Sequence, residues 1–514
     1  MTELETWVPL TDEPERRWPG PSRPPKPGVL LAVVGAALVA AVTLPLDKPG
    51  LGWLLTGAAV AGVAGAVGLR DGRTGWRAVL PDWRGLRLAP VERLGWAAAS
   101  VALLSVGTFR AAGWLFVICV LTACVTGAFA TVGGRTLAGL VLSVPVVPAA
   151  AIRAIPWGAR GARAISRTGR GGSAMRLTAS VAVGGLLVVI FGALFAGADA
   201  AFRGLLNNAF SVFGGLDGTG VARGIFCFGL AGLGTLGGCY LVAAPPTVDL
   251  RPDPARGVRG LRLREWAVPL ALLDALFASF VLIQLTVLFG GRTHVLGTEN
   301  LTYAEYARGG FWQLVTVTVL TLGVIALAVR LAGRGSAAER LWLRILLGTL
   351  SVLTLVIVAS ALKRLALYES TYGYTRLRIL VGACEIWLAI VFVLVLVAGI
   401  RLRAPWLARA VAGTAVAMVL AIAVLNPDRF IADRNVDRYQ SSHRIDLYYL
   451  ERLSPDAAPA LARLPEPMRE QVLASIYFEL YDQCDDWSDF NLGRQRARET
   501  VAGLKLAKES PPSC

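Results

Sequence analysis

Long apolar runs separated by short, mostly basic connections dominate this chain, and few folds accept that pattern. Eleven runs reach or approach spanning length: 28–46, 50–69, 94–109, 111–131, 177–197, 222–244, 266–290, 309–331, 345–362, 377–400 and 410–425. About 20 helical residues, rising ~1.5 Å each, cross a ~30 Å hydrocarbon layer, so 94–109 and 410–425 are short for the task. In hydrocarbon each peptide group must find its hydrogen bond inside its own segment, so the runs predict α-helices. A hydrophobic content of 55% over 514 residues, with a mean hydropathy of +0.58, excludes an ordinary soluble protein of this size. The expected fold class is all-α: a polytopic helical membrane protein of about eleven transmembrane helices with a small extracytoplasmic α-helical domain at the C-terminus.

The net charge of +16 raises the question of nucleic acid, and its distribution answers it. Residues 426–514 hold 12 basic and 15 acidic side chains, so the rest of the chain carries the whole excess. Much of it sits in five alternate connections, 70–93, 135–176, 251–264, 330–344 and 401–409, which together hold 25 Lys and Arg. That is the positive-inside pattern, and it points to membrane lipids as neighbours and to no nucleic-acid partner. It predicts a multi-pass protein of a bacterial plasma membrane with a cytoplasmic N-terminus and an extracytoplasmic C-terminus. The pattern is consistent only if 135–152, apolar but interrupted by Pro145 and Pro148, is re-entrant or lies on the surface.

The organisation follows in three parts. Residues 1–27, polar and proline-rich, read as a disordered cytoplasmic tail. Residues 28–425 form the transmembrane domain, with 199–216 read as an interfacial helix on the outer leaflet. Residues 426–514 form the helical domain, with Met468, Val472, Leu473, Ile476 and Leu480 on one apolar face and a last helix over about 489–506. Cys119, Cys124, Cys227, Cys239 and Cys384 read as small core residues, whereas Cys484 and Cys514 either pair or remain free thiols. Asp482, Asp485, Asp486 and Asp489 read as a solvated face or helix caps, because a calcium loop with its Gly turn is missing. His294 and His443 have no zinc-site spacing, and no catalytic or nucleotide motif is present, so no metal or cofactor is expected.

The least ordinary stretch is 363–378, KRLALYESTYGYTRLR, between two apolar runs. As continuous helix it puts Tyr374, Arg378 and Glu385 along one face; as a short loop it anchors two helix ends at the membrane surface. Asp274 and Glu385 each lie eight residues inside an apolar run, ~12 Å deep, where an ionised, unpaired carboxylate costs several kcal/mol. With Gln284, Gln313 and Arg378 they outline a polar intramembrane cavity, or else they only bond helices together. A second constellation gathers Glu305, Tyr306, Arg308, Glu369, Tyr372, Tyr374 and Arg376 in the outer loops. Arg beside Tyr at a membrane surface suits an anion or a partner, and Glu to Arg pairing between loops is the plainer alternative.

Three pieces, Thr302 to Leu314 (TYAEYARGGFWQL), Leu367 to Arg378 (LYESTYGYTRLR) and Asn426 to Leu461 (NPDRFIADRNVDRY, then DLYYLERLSPDAAPAL), resemble an uncharacterised family of bacterial polytopic membrane proteins, a domain-of-unknown-function family. The Ala- and Arg-rich, Lys-poor composition resembles that of an actinobacterial member. The resemblance implies several spans and an outer helical C-terminal segment, and it brings no activity. Three functions stay open: a non-enzymatic envelope component binding a protein partner or ligand through outer loops and the C-terminal domain; a transporter or lipid-handling protein using the polar cavity; and a membrane enzyme on a lipid-linked substrate.

Overall fold

The computed structural model describes residues 18–70, 89–134, 136–167, 184, 195, 204, 218–246, 248, 261–289, 311–333, 335–402, 404–481 and 485–502. Nearly all of the expected span 177–197, the interfacial helix 199–216, the loop 291–308, the first part of the tail, Asp482, Cys484 and Cys514 lie outside the described residues.

The described helices are α1 Pro27–Thr43, α2 Leu51–Arg70, α3 Ala89–Phe109, α4 Gly113–Val132, α5 Leu137–Arg167, α6 Gly218–Ala243, α7 Leu263–Phe289, α8 Phe311–Leu331, α9 Ala337–Tyr372, α10 Arg376–Arg401, α11 Leu407–Leu425, α12 Pro427–Ser442, α13 Leu447–Leu450, α14 Ala458–Leu461, α15 Met468–Tyr481 and α16 Leu492–Ala502. No strand occurs among the described residues. Nine of these helices, α2, α4 to α6 and α7 to α11, are long and apolar enough to cross a membrane, and α1 is a shorter apolar helix. The protein is a multi-pass helical membrane protein. Large apolar side chains such as Leu31, Leu272, Leu320 and Val424 face outward, as lipid-facing positions require.

The segment expected to be re-entrant or to lie on the surface is one continuous 31-residue helix, α5, with no re-entrant break. Pro145, Pro148 and Pro156 all sit on its exposed side, while Leu140, Ser143, Ala150, Ala154 and Trp157 form its buried face. Each proline removes one intrahelical bond. The carbonyls so released, on Val141, Val144 and Ile152, belong to residues of the same outward face, so the packed face keeps its geometry.

Contacts divide the chain into two compact units. The first holds α1 to α6 together with residues 485–495. Its core joins Val33, Val67, Val132, Ala150, Trp157 and Tyr240. Residues 18–26, expected to be disordered, are pinned there: the indole of Trp18 donates to Ala244 O at 2.9 Å, and that of Trp157 donates to Arg23 O at 2.9 Å. Residues 485–494 form a clasp on the same unit. Lys48 Nζ lies 2.9 Å from Asp485 and 3.1 Å from Asp489, and Arg494 bonds Asp485 and the carbonyl of Pro49. Asn491 donates to the carbonyls of Gly107 and Arg110 at 2.7 and 2.8 Å. Asp485 and Asp489 are thus anchors rather than a solvated face, and Asp486 caps the short turn Trp487–Asp489. Burial alone would lower the Lys48 pKa, yet its bonds to the two carboxylates leave it raised, so Lys48 stays charged through the neutral range.

The second unit holds α7 to α15. Its core runs through Leu270, Phe277, Val281, Leu343, Ile357 and Phe392. Ser336 and Glu339 close a capping box that starts α9. Between α9 and α10 stand only Gly373, Tyr374 and Thr375, and Thr375 caps α10. Tyr374 is therefore in the turn and not on the face of Arg378 and Glu385. The apolar face foreseen for 468–481 is observed, with Val472, Leu473, Ile476 and Leu480 buried in α15. Cys119, Cys227 and Cys239 are buried, but Cys124 and Cys384 point outward.

Gly373 has φ +81° and ψ 175°, a region open essentially to glycine, and a Cβ there would meet Asn435 Oδ1 at 2.4 Å. We expect Gly373→Ala to lower stability by about 1–3 kcal/mol or more. A thermal unfolding midpoint in detergent equal to that of the parent protein would contradict this account of the turn.

Candidate functional site

Two groups of polar residues in the second unit qualify as sites, one at the turn and one inside the spans. At the turn, α12 reaches back over the end of the α9–α10 hairpin. Asn426, at φ +56°, redirects the chain after α11, and Pro427 opens α12. This brings Asp428, wholly buried, onto Arg376: Nε to Oδ1 is 2.8 Å and Nη2 to Oδ2 is 2.6 Å. Asp428 also accepts from the Ser454 amide at 2.9 Å, and Arg376 donates to Arg452 O at 3.0 Å. The backbone N–H of Arg376 donates to the Tyr449 hydroxyl at 2.7 Å; burial raises the Tyr449 pKa, although Arg376 pulls it the other way. Asn435 pairs with both backbone groups of Tyr374, each at 2.9 Å, and the Tyr374 ring meets Phe430 edge-on. Arg438 donates to the last carbonyls of α9, on Ser370 and Thr371. Those carbonyls have no partner within the helix, so Arg438 serves as its C-terminal cap.

Of the outer constellation, then, Tyr374 and Arg376 are committed to this latch. Tyr372 is exposed and stacks beside Tyr368, and half-buried Glu369 accepts the Gly373 amide through its backbone. Glu305, Tyr306 and Arg308 lie outside the described residues. The carboxylate that answers Arg376 is Asp428, 52 residues away in sequence. Residue spacing gave no sign of Asp428, Asn435 or Tyr449; their only signal was membership of the 426–461 piece.

Inside the spans, Asp274 sits on the buried stripe of α7 with Leu270, Phe277 and Val281, and Glu385 sits on that of α10 with Leu388 and Phe392. Asp274 is 8% exposed and Glu385 1%, and neither has a hydrogen-bond partner for either carboxylate oxygen among the described residues. Gln284 accepts from Arg364 at 2.8 Å and from Ser360 at 3.3 Å, so this part of α7 stands level with 360–364 of α9. Leu365 lies against Gly382 across the hairpin, which puts Glu385 near that same level. Asp274, ten residues before Gln284, is roughly 15 Å away along the helix axis. Arg378 turns back to the carbonyl of Gly373 and covers the Tyr368 ring at 4.3 Å, and Gln313 is exposed. The structure therefore brings Gln284 and Glu385 to one layer, adds Arg364 and Ser360, and leaves Asp274, Gln313 and Arg378 elsewhere. Two carboxylates that far apart cannot share one reacting atom. Each can instead hold a proton or meet a cation at its own depth.

The model of a family described as "Domain of unknown function (DUF4153)" matches residues 98–464. The chain belongs to the DUF4153 family. No curated protein and no solved structure matches it. The DUF4153 stretch contains the whole latch and both buried carboxylates, while Lys48 and the clasp residues 485–494 fall outside it.

Breaking the latch should be costly because it strands a buried charge. We expect Arg376→Met, which strands the wholly buried Asp428, to destabilise by about 3–5 kcal/mol, and Arg376→Lys, which cannot fork onto both oxygens, to recover only part of the pair. Equal unfolding midpoints for Arg376→Lys and the parent protein would refute the bidentate role.

Proposed function

We propose that this DUF4153 protein is a transporter that moves protons, or a solute coupled to them, along α7, α9 and α10. One observation carries the reading: Asp274 and Glu385 are buried without hydrogen-bond partners among the described residues, on helices long enough to span. Ionised, each would cost about 2.5–3.5 kcal/mol or more at the centre of a bilayer, so each is kept neutral or meets water or a cation in some step of a cycle. A purely structural group would be expected to bond a neighbour, as Gln284 does with Arg364 and Ser360. Two stations at separate depths suit a stepwise path.

The test is flux through purified protein in liposomes holding a pH-sensitive dye under an imposed diffusion potential. We expect proton entry for the parent protein and at least a tenfold loss, about 1.4 kcal/mol in barrier, for the Asp274→Asn, Glu385→Gln double variant. Entry at the empty-liposome rate for the parent, or equal entry for both proteins, would sink the proposal.

A second reading, partner binding by the C-terminal helices, is favoured by Tyr448 and Phe478, which are 64% and 66% exposed in an otherwise well-buried group of helices. Photo-crosslinkers placed at these two positions in living cells should yield one discrete adduct. Labelling of lipid alone counts against it.

A further inference from the structure

The first unit carries an apolar slot of about 540 Å³ between α1 and α5, closed on one side by Leu236 of α6. Leu30 and Val34 form one wall, and Ile155, Ala159 and Ala162 the other. It reaches from Pro27 to Val34, ~10 Å of helix, which is the depth of the upper part of an acyl chain. Two glycines of α5 shape it. A Cβ on Gly158 would lie 2.9 Å from Leu236 Cδ2, and one on Gly161 would lie 2.5 Å from Pro25 Cγ.

The close approach at Gly161 has an electrostatic consequence. It holds the entry strand of α1 against α5, helped by the bond from Trp157 to Arg23 O and by Arg153, whose guanidinium lies 4.9 Å from the Trp18 ring centre. Arg23 and Lys26 are thereby fixed at the mouth of the slot, and both are exposed. Arg160 is exposed on the turn of α5 beside them. No Asp or Glu occurs in residues 18–26, α1, α5 or α6. An apolar channel at a helix end with several cations at its mouth and no carboxylate on the elements that form it is complementary to one amphiphile above others.

We propose that this slot binds an anionic phospholipid, with one acyl chain between α1 and α5 and its phosphate on Arg160 and Lys26. Guanidinium and ammonium donors suit phosphate oxygens, and a zwitterionic head group would bring its own cation into the basic mouth. The site lies in a different unit from the carboxylates and does not rest on the transport reading.

Native mass spectrometry of the full chain, stripped of lipid and titrated with phosphatidylglycerol or with phosphatidylcholine of the same chains, tests it. We expect a preference for phosphatidylglycerol on the order of tenfold. Lys26→Gln with Arg160→Gln should abolish that preference, and Arg401→Gln, elsewhere on the protein, should not. Ala162→Leu, which narrows the slot, should weaken both lipids. Equal binding of the two lipids by the parent protein, a preference that survives the double variant, or one lost equally with Arg401→Gln would overturn the proposal. So would displacement of the lipid by inorganic phosphate, which would make this a free-anion site.

Discussion

Every polar group within a membrane-spanning helix must be satisfied where it stands, and much of this protein can be understood from that single constraint. Most hydroxyls inside the helices obey it locally, although that of Thr108 in α3 is buried with no partner among the described residues. Thr122, Thr126, Thr235, Thr318, Thr321, Ser351 and Thr354 all donate to carbonyls of their own helix, mostly one turn back. None of them needs another helix to be buried. Gln284 cannot close such a loop and finds Arg364 and Ser360 on α9 instead. Against this background Asp274 and Glu385 stand apart, for they are ionisable, buried and answered by nothing described.

Where the chain leaves its spans, the same need is met by side chains brought back from the C-terminal region. The α9–α10 turn has orphan carbonyls at one helix end and a half-buried guanidinium at the other, and α12 supplies Arg438 for the first and Asp428 for the second. In the first unit the loop 44–50 meets the 485–494 clasp in an equivalent way, with Lys48 between two carboxylates and the Leu51 amide on Phe490 O. A Cβ on Gly50 would meet Asp489 Cα and Ser488 O at 2.9 Å, so the clasp packs backbone to backbone. These attachments use charge because apolar contact has little to offer at the edge of a layer that is itself apolar.

How much of this was legible in the sequence depended on how local the cause was. Apolar run length is local, and α4, α6, α7, α8 and α10 fall close to the runs that announced them. The prolines of α5 misled because their effect depends on which face they occupy. Pro145, Pro148 and Pro156 share the outward side, and that is visible only once the buried side is known from packing. Tyr374 was placed on a helical face from spacing, but Gly373, directly after the end of α9 at Tyr372, was the true signal of a break. The clasp was harder still. Asp485 and Asp489 have helical spacing, yet their partner Lys48 is some 440 residues earlier, a distance over which no periodicity speaks.

The buried carboxylates were legible as anomalies and not as a site, and the reason bears on how they work. Counting inward from the ends of the apolar runs put both near mid-depth, which suggested a shared cavity. The pairing of Gln284 with Ser360 and Arg364, and the contact of Leu365 with Gly382, fix the helices at a different relative height and separate the two groups by several turns. At that distance the two carboxylates can neither share a proton nor shift each other strongly by repulsion, so each must settle its charge alone. Glu385 has Arg364 in its layer, and that guanidinium donates to the neutral Gln284. A permanent Glu–Arg pair would tie the charge down and make it structural. No such pair is seen for Glu385, whose carboxylate has no hydrogen-bond partner among the described residues, and on the transport reading proposed above it is a group that would take up and release a proton.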